Sequence, residues 1–214
     1  MTDRADGPAA AVAKPPGKRE RRAVATRAAL LESARARIEQ DGLASLRARD
    51  VASDAGVAIG TIYKYFKDFD ELVLHINSQT LERMSAALGA AVEGVDDPRG
   101  RLVRLARAYL AVAEREPNLW AALFTHRMAA GAPVPEWHLR DHEALFALIA
   151  APVAALAPTL DEGERAVRTR TVFAAVHGVV ALALEDRFIG VPRGALEDEV
   201  EAVARGLVAT LEET

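Results

Sequence analysis

The order of apolar and polar residues predicts α-helices along most of the chain. One helical stripe lies between residues 23 and 41: Leu30, Leu31, Ala34 and Ile38. A second stripe lies in a longer helix expected over 68–92: Leu72, Ile76, Met84 and Leu88. Further helices are expected over 98–115, 117–131, 136 onward with a disturbance at Pro152, 161–188 and 194–212. No stretch alternates like a strand, so the predicted fold class is all-α.

Residues that are typical of helix N-caps indicate where several of the predicted helices begin. The expected caps are Ser45 for a short helix over 46–54, Asp68 with Glu71 for 68–92, Asp97 before Pro98, and Thr159 with Glu162 for 161–188. Each cap places a side-chain oxygen where the first backbone N–H groups of a helix lack partners.

A tight turn joins two short predicted helices in the N-terminal part of the chain. Residues 46–54 and 58–65 flank Ala55-Gly56-Val57, where glycine permits a positive φ. With the helix before them, they form a helix-turn-helix unit. The predicted organisation is a disordered basic arm over 1–21, a three-helix helix-turn-helix DNA-binding domain over 22–70, and a C-terminal helical ligand-binding and dimerisation bundle over 71–214.

Composition narrows the class of protein. The 214 residues contain no cysteine, which excludes a disulfide framework, a thiolate zinc site and a cysteine nucleophile. Alanine, with 45 residues, favours helices. No apolar run reaches the roughly 18–20 residues of a membrane span, and the N-terminal residues lack the apolar core of a secretion signal. We therefore expect a cytoplasmic protein without a membrane partner.

The net charge of −4 is unevenly distributed. Residues 1–67 carry 13 Lys and Arg against 8 Asp and Glu, a net charge of +5, whereas residues 68–214 carry 14 against 23, a net charge of −9. All four lysines lie in the first part. This asymmetry is typical of a nucleic-acid-binding segment joined to an acidic body, although charge alone also fits a solvated basic face.

The second short helix carries an unusual mixture of aromatic and basic residues. Four of the 11 aromatic residues fall within 63–69, beside two of the four lysines. Small residues let the helix approach a groove floor, hydroxyl groups reach bases or phosphates, and lysines neutralise phosphate. The residues expected to contact DNA are Arg47, Ala58, Ile59, Gly60, Thr61, Tyr63, Lys64, Tyr65 and Lys67. Ile62 and Phe66 are expected in the core; ordinary packing is the alternative for Tyr63 and Tyr65, and a solvated charge for Arg47.

The segment from Leu46 to Leu72 closely resembles the DNA-binding signature of TetR-type transcriptional regulators. The resemblance rests on Ala-Gly-Val, Gly-Thr-Ile-Tyr, Tyr-Phe and Glu-Leu in this order. It implies a dimer with one recognition helix per half-site. The DNA contacts that it implies are Thr61, Tyr63, Lys64 and Tyr65. Phe69 stands where the family often has a phosphate-binding lysine, so either Lys67 replaces that contact or the contact is missing.

Two segments of the acidic body resemble a subgroup of TetR-type C-terminal domains with a Trp…His-Gly signature. They are Phe-Ala-Ala-Val-His-Gly at 173–178 and Pro-Asn-Leu-Trp-Ala-Ala-Leu-Phe at 117–124. Phe173 stands where the subgroup often has tryptophan.

Large apolar side chains and isolated polar ones occur together in the body, as in the ligand pockets of helical bundles. The expected pocket residues are Leu105, Tyr109, Trp120, Leu123, Phe124, Arg127, Trp137, His142, Phe146 and His177. Core packing is the alternative for most of them. His138 and His142 have the i, i+4 spacing of a metal-binding pair, but without a third ligand we expect a solvated or hydrogen-bonded pair, no metal and no cofactor.

Two helices carry stripes suited to packing between subunits. The expected dimer interface comprises Ala174, Gly178 and Ala181 in one helix and Leu196, Val200, Val203 and Leu207 in the last helix. Small residues let another helix approach closely, and the 4-3-4 spacing suits a bundle. Burial of both stripes within one chain is the alternative.

Together these features predict a homodimeric DNA-binding regulator, namely a repressor released from a palindromic double-stranded operator by a hydrophobic or aromatic small-molecule effector. A sequence-indifferent architectural DNA-binding protein without an effector is the alternative. The chain has no phosphate-binding glycine loop, nucleophile elbow or His-Glu-x-x-His motif, so we do not expect an enzyme.

Overall fold

The computed structural model describes residues 17–128, 132–185 and 189–213. Its α-helices are α1 (Lys18–Asp41), α2 (Ala48–Asp54), α3 (Phe69–Ala91), α4 (Pro98–Arg115), α5 (Pro117–Thr125), α6 (Glu136–Leu156), α7 (Glu162–Leu184) and α8 (Leu196–Glu212). Short 3₁₀ segments are Leu43–Ser45, Ile59–Lys64 and Arg193–Ala195. The described ranges contain no strand, and the all-α prediction is confirmed.

Two hydrophobic cores share helix α3. The N-terminal core packs α1, α2 and the first half of α3 around side chains such as Ile38 and Phe66. The C-terminal core fills the space between the rest of α3 and helices α4, α6, α7 and α8. Leu72 of α3 lies in the N-terminal core and Leu88 lies in the C-terminal core. One continuous helix therefore connects the helix-turn-helix unit to the body.

Two of the four predicted N-caps, Asp68 and Asp97, are confirmed, and the other two, Ser45 and Thr159, are wrong. Asp68 Oδ1 accepts a hydrogen bond from the backbone N–H of Glu71 at 2.8 Å, and Asp97 caps α4. The hydroxyl of Ser45 instead donates to the carbonyl oxygen of Asp41 at 2.8 Å. Ser45 thus closes a 3₁₀ turn. Helix α2 begins at Ala48, two residues later than predicted.

Helix α7 is capped by a different residue from the one predicted. Asp161 Oδ1 accepts from the Glu164 N–H at 2.8 Å, and the Glu164 carboxylate accepts from the Asp161 N–H at 2.9 Å. These bonds form a complete capping box, which replaces the predicted pair Thr159 and Glu162. The carboxylate of Asp161 also carries a negative charge, which the helix N-terminus stabilises.

Several helix ends also differ from the prediction. Helix α1 begins at Lys18, so the last residues of the expected disordered arm are helical, as the straight-chain Lys, Arg and Glu favour. Residues 1–16 of that arm lie outside the described residues. Helix α5 ends at Thr125 rather than near Gly131, because His126 has an extended backbone with ψ of 131°. Helix α6 continues through Pro152, which is itself buried in the bundle.

Helix α7 is long and apolar enough to cross a membrane by length and composition alone. Its 23 residues include a window of mean hydropathy 1.4, of which 28% is buried. Arg168 and Arg170 fall within this window, so the uncharged part of α7, residues 171–184, remains shorter than the roughly 18–20 residues of an uninterrupted membrane span. One face of α7 packs into the C-terminal core through Val172, Val176 and Val180, so α7 is a bundle helix with an additional apolar side.

Candidate DNA-reading surface and effector pocket

Residues 59–64 form a 3₁₀ helix rather than the α-helix predicted over 58–65. The Thr61 N–H donates to the Ala58 carbonyl oxygen at 2.8 Å, and the Tyr65 N–H donates to the Ile62 carbonyl oxygen at 3.0 Å. Glycine, β-branched and aromatic residues dominate this segment, and all of them are weak α-helix formers. The expectation for Ile62 and Phe66 is confirmed, because both side chains are buried in the N-terminal core.

The residues expected to contact DNA form an exposed surface around this segment. Tyr63 is 54% exposed, so the packing alternative does not hold for it. Ala58, Ile59, Gly60, Lys64 and Lys67 are also exposed. Thr61 and Tyr65 are half-buried, and the Tyr65 ring packs against the N-terminal core. Tyr65 therefore has a packing role whether or not its hydroxyl reaches DNA.

Two further residues show how the edges of this surface are built. Arg47 is exposed, and its Nη1 donates to the carbonyl oxygens of Ala44 at 2.8 Å and Leu46 at 2.9 Å. These bonds leave the remaining guanidinium N–H groups for solvent or phosphate. Phe69 is half-buried against the N-terminal core and carries no charge, so Lys67 is the cation nearest to that position in sequence.

Side chains from α1 hold the helix-turn-helix unit in place. The Arg37 guanidinium binds the Asp54 carboxylate of α2 at 2.6 Å and holds the pKa of that carboxyl below its usual range. The Arg27 guanidinium lies over the Phe66 ring, 5.0 Å from its centre. The exposed first turns of α1 were not among the predicted DNA contacts; they carry Lys18, Arg19, Arg21 and Arg22 beside the exposed Val24. The basic run was the available signal, but it was assigned to a disordered arm.

An aromatic cluster lies between α4, α5, α6 and α7. It brings together five of the expected pocket residues and one residue that the pocket prediction omitted. The members are Tyr109, Trp120, Phe124, Phe146, His177 and the omitted Phe173. His177 and Phe124 have ring centres 4.2 Å apart, and His177 stacks on Phe173 at 5.5 Å.

A chain of hydrogen bonds runs through this cluster. Trp120 Nε1 donates to Tyr109 Oη at 2.9 Å, and Tyr109 Oη lies 2.7 Å from His177 Nδ1. Burial raises the pKa of the Tyr109 phenol and lowers the pKa of His177. Both groups are therefore uncharged at neutral pH. The chain links α4, α5 and α7 through uncharged polar atoms inside an otherwise apolar region.

Two spaces adjoin the aromatic cluster. A small cavity of about 30 Å³ lies inside the C-terminal core, between Leu105, Tyr109 and Phe173. A larger open space of about 260 Å³, which we call the outer groove, lies on the other side of the cluster. The residues lining the outer groove are Pro117, Asn118, Trp120, Ala121, Phe124, Thr125, His177, Ala181, Leu184 and Glu185.

Several expected pocket residues lie away from this cluster. Trp137 stacks on His75 of α3 with ring centres 4.4 Å apart, and Arg127 is exposed beyond the end of α5. Leu123 is half-buried against the C-terminal core. His142 lines a separate groove of about 670 Å³ between α6 and α7, which Phe146 also reaches. Trp137, Arg127 and His142 therefore lie apart from the aromatic cluster: the two α6 residues face α3 and the separate groove, and Arg127 follows the end of α5.

The two histidines of α6 form a hydrogen-bonded pair. His138 Nε2 lies 3.3 Å from His142 Nε2, and His138 Nδ1 lies 2.8 Å from Ser78 Oγ of α3. His138 is 6% exposed, and burial together with the neighbouring His142 lowers its pKa to about 4. Among the described residues, no group of three or more metal-ligating side chains comes together.

Some of the residues expected at the dimer interface are buried in the core, and others lie at the surface. Leu196 and Val200 are fully buried in the C-terminal core of their own chain, which corrects their assignment to the interface. Val203, Leu207, Gly178 and Ala181 are half-buried, and Ala174 is exposed. Helix α7 also exposes two large apolar side chains that the sequence analysis did not select, Val167 at 66% and Leu182 at 39%.

Helix α5 contacts both functional regions. Its Leu119 and Ala122 are buried in the N-terminal core, whereas Trp120 belongs to the aromatic cluster. Asn118 Nδ2 donates to the carbonyl oxygen of Glu39, in the last turn of α1, at 2.9 Å. One short helix thus connects the outer groove to the helix-turn-helix unit.

A helix-turn-helix unit on an all-helical body defines the protein as a DNA-binding transcriptional regulator. A family model described as the tetracyclin repressor-like C-terminal domain matches residues 102–211, and one described as bacterial regulatory proteins of the tetR family matches residues 30–76. The chain belongs to the TetR family of transcriptional regulators. No curated protein matches the chain.

Solved structures share the fold over most of the chain. A Rhodococcus protein of unknown function has 28% identity and a TM-score of 0.66, and the match covers 88% of this chain and 94% of that chain. FadR from Bacillus subtilis, solved in complex with stearoyl-CoA, has 14% identity and a TM-score of 0.66, with coverage of 85% and 97%. A TetR family regulator from Marinobacter aquaeolei has 20% identity and a TM-score of 0.63, with coverage of 87% and 97%.

Proposed function

We propose that the protein is a homodimeric cytoplasmic repressor that binds a palindromic operator and leaves it when a small apolar molecule occupies the body. The position of α5 between the two regions carries this proposal. Leu119 and Ala122 of α5 are buried in the N-terminal core, whereas Trp120 and Phe124 of the same helix line the outer groove. Membership in a family of transcriptional regulators gives no support for catalysis.

The exposed surface around Tyr63 reads the operator. Lys64 and Lys67 neutralise phosphates, while Tyr63 and Thr61 offer hydroxyl groups to bases or phosphates. Two copies of this surface, one in each subunit, bind successive major-groove half-sites about one helical turn (~34 Å) apart, or a multiple of that spacing. The exposed basic residues in the first turns of α1 add positive charge beside the phosphate backbone of the DNA.

The dimer forms through α7 and α8. The outward face of α7 exposes Val167 and Leu182, and α8 adds half-buried Val203 and Leu207 at its edge. Such apolar area on two adjacent helices supports a bundle of four helices, two from each subunit. Ala174 and Gly178 leave room for the partner helix to approach closely.

An effector acts by favouring a dimer geometry whose reading surfaces no longer match successive grooves. It can do so only by binding one geometry more tightly than the other, and a coupling of about 1–3 kcal/mol lowers operator affinity by roughly 5–150-fold. A displacement of Trp120 or Phe124 in the outer groove moves α5, and Asn118 passes that movement to α1. FadR, which shares this fold, was solved with stearoyl-CoA, and this supports a ligand site in the fold that accepts a small molecule with a long apolar chain.

A titration of operator DNA tests the proposal. The full-length protein is titrated against a labelled inverted repeat from the DNA flanking its coding region and against a scrambled duplex of equal length. We expect specific binding at least about 1,000-fold tighter than binding to the scrambled duplex. Equal affinities would instead support a sequence-indifferent architectural protein.

A further inference from the structure

The hydrogen-bonded chain of the aromatic cluster fixes where His177 carries its proton. The indole N–H of Trp120 can only donate, so Tyr109 Oη accepts from it. The remaining hydroxyl hydrogen of Tyr109 has one partner among the described residues, His177 Nδ1 at 2.7 Å. Nδ1 therefore accepts, and the proton of the neutral imidazole is on Nε2.

The same arrangement presents His177 Nε2 as a hydrogen-bond donor. Nε2 lies on the far side of the ring from Tyr109, and His177 lines the outer groove. Within the described part of the chain, no group accepts a hydrogen bond from Nε2. Phe173 stacks on the imidazole with ring centres 5.5 Å apart, and the tilted Phe124 ring lies 4.2 Å away, so the donor lies beside apolar rings.

The charged residues that line the outer groove indicate which net charge a ligand can carry there. Glu185 is the charged residue among its described lining residues, and neither lysine nor arginine is among them. A carboxylate or phosphate ligand would therefore find no cation to pair with among these lining residues. A cationic ligand has no lone pair to accept the Nε2–H bond.

We propose that the outer groove binds an uncharged aromatic molecule through a carbonyl oxygen, which accepts the hydrogen bond from His177 Nε2. This inference rests on the proposed effector function and names the chemical class of the effector. The aromatic ring of the ligand packs on Phe124 and Trp120, in the offset or edge-on geometry that aromatic pairs prefer. A space of about 260 Å³ accommodates a molecule with one ring.

Binding of four phenyl compounds to the DNA-free protein tests this assignment. Acetophenone carries a neutral carbonyl, ethylbenzene has no acceptor, benzoate is an anion and benzylammonium is a cation. Titrations followed by ¹⁵N NMR of the histidine side chains at pH 7.5 report both affinity and the environment of His177 Nε2. We expect acetophenone to bind about fivefold more tightly than ethylbenzene, as one neutral hydrogen bond allows, and to shift the Nε2 signal. The two charged compounds bind more weakly than acetophenone.

Two substitutions make the result specific to the hydrogen bond. His177→Phe keeps an aromatic ring but removes the donor, so acetophenone and ethylbenzene should then bind equally. Tyr109→Phe removes the group that fixes the tautomer, and the ¹⁵N spectrum of His177 should change to a mixture of the two neutral forms. His142→Phe, in the separate groove between α6 and α7, should leave both results unchanged.

Three results would overturn the inference: tightest binding by benzylammonium or benzoate, a preference for acetophenone that survives His177→Phe, or no shift of the His177 signal with any compound. A separate operator titration in the presence of saturating acetophenone tests induction itself. If acetophenone binds as expected but the operator stays bound, the ligand class stands and the proposed release mechanism fails.

Discussion

Asn118 and Glu39 join the two functional regions through one hydrogen bond, 2.9 Å from the amide Nδ2 of Asn118 in α5 to the carbonyl oxygen of Glu39 in α1. The bond satisfies one of the last carbonyl groups of α1, which have no partner within the helix. It also holds α5 against the helix-turn-helix unit. We therefore expect a movement of α5 to displace the end of α1.

Asn118→Ala removes this connection. We expect the free energy of unfolding to fall by about 1 kcal/mol, the usual net contribution of a hydrogen bond. Operator affinity without effector should change little, whereas the loss of affinity caused by a saturating effector should become smaller. Fluorescence anisotropy with labelled operator, with and without effector, measures both. Gln40→Ala, an exposed change on α1, is the control, and an undiminished effector response in Asn118→Ala would contradict the coupling role.

Tyr63→Ala tests the reading surface without disturbing the core. Because Tyr63 is 54% exposed, its loss should leave the melting temperature nearly unchanged. Operator affinity should fall about 100-fold, because one lost contact to DNA typically costs ~1.4 kcal/mol, or tenfold, and the dimer loses one contact in each subunit. Tyr65→Ala is the informative comparison, because loss of its half-buried ring should lower the stability of the fold as well as operator affinity. Unchanged operator binding by Tyr63→Ala would remove this residue from the surface.

Much of the fold could be predicted because apolar spacing reports directly which face of a helix is buried. The stripe from Leu72 to Leu88 was predicted as the inner side of α3, and these residues are buried. Helix ends were harder to predict, because residues near Ser45 and Thr159 can form equally good or better capping hydrogen bonds. Which residue caps the helix depends on the backbone conformation of the folded chain.

The candidate pocket illustrates a different limit. Spacing placed Trp137 and His142 on one helix with Phe146, but it could not say which neighbouring helix each of them would face. In the structure, Trp137 stacks on His75 of α3, while Phe146 turns to Phe173 of α7. The stripe of α8 shows the same ambiguity, since Leu196 is spaced for either an internal or an external partner. These assignments depend on long-range packing.

The outward apolar face of α7 leads to a prediction about assembly. Leu182→Glu places a charge at the proposed subunit interface, and burial of an unpaired carboxylate there is strongly unfavourable. Sedimentation should show a monomer at micromolar concentration, and operator affinity should fall because one half-site remains. Leu139→Glu, on the exposed side of α6, is the matched control and should leave the dimer intact. A wild-type monomer at the same concentration would exclude the proposed dimer.

The division of charge predicts a modest dependence of operator binding on salt. Three cations of each subunit, Arg47, Lys64 and Lys67, lie on the reading surface itself, and the acidic body repels phosphate. We expect the slope of log affinity against log salt concentration to be well below the roughly −10 of lac repressor. Anisotropy titrations at several salt concentrations measure it. Lys64→Ala removes one phosphate contact from each subunit of the dimer, so it should reduce the slope by about two, whereas a wild-type slope near −10 would show that more cations contact DNA than this surface provides.

The buried His138 predicts a loss of stability in mild acid. Its pKa is about 4 in the folded protein, below the usual 6.5, because burial and His142 disfavour the charged ring. As the pH falls below about 6.5, the unfolded chain binds a proton that the folded chain does not, so the stabilisation present above that pH is lost progressively down to about 4. Up to ~3 kcal/mol of the free energy of unfolding is involved.

Urea unfolding between pH 7 and 5 measures this loss. His138→Gln can still bond to Ser78 but does not titrate, so the variant should lose less stability than the wild type over the same range. The other histidines with lowered pKa values, such as His142, leave a smaller residual slope in the variant. Carboxyl groups titrate mainly below this range and contribute little to the difference. Equal losses in the variant and the wild type would mean that His138 takes up its proton as readily in the folded protein as in the unfolded chain.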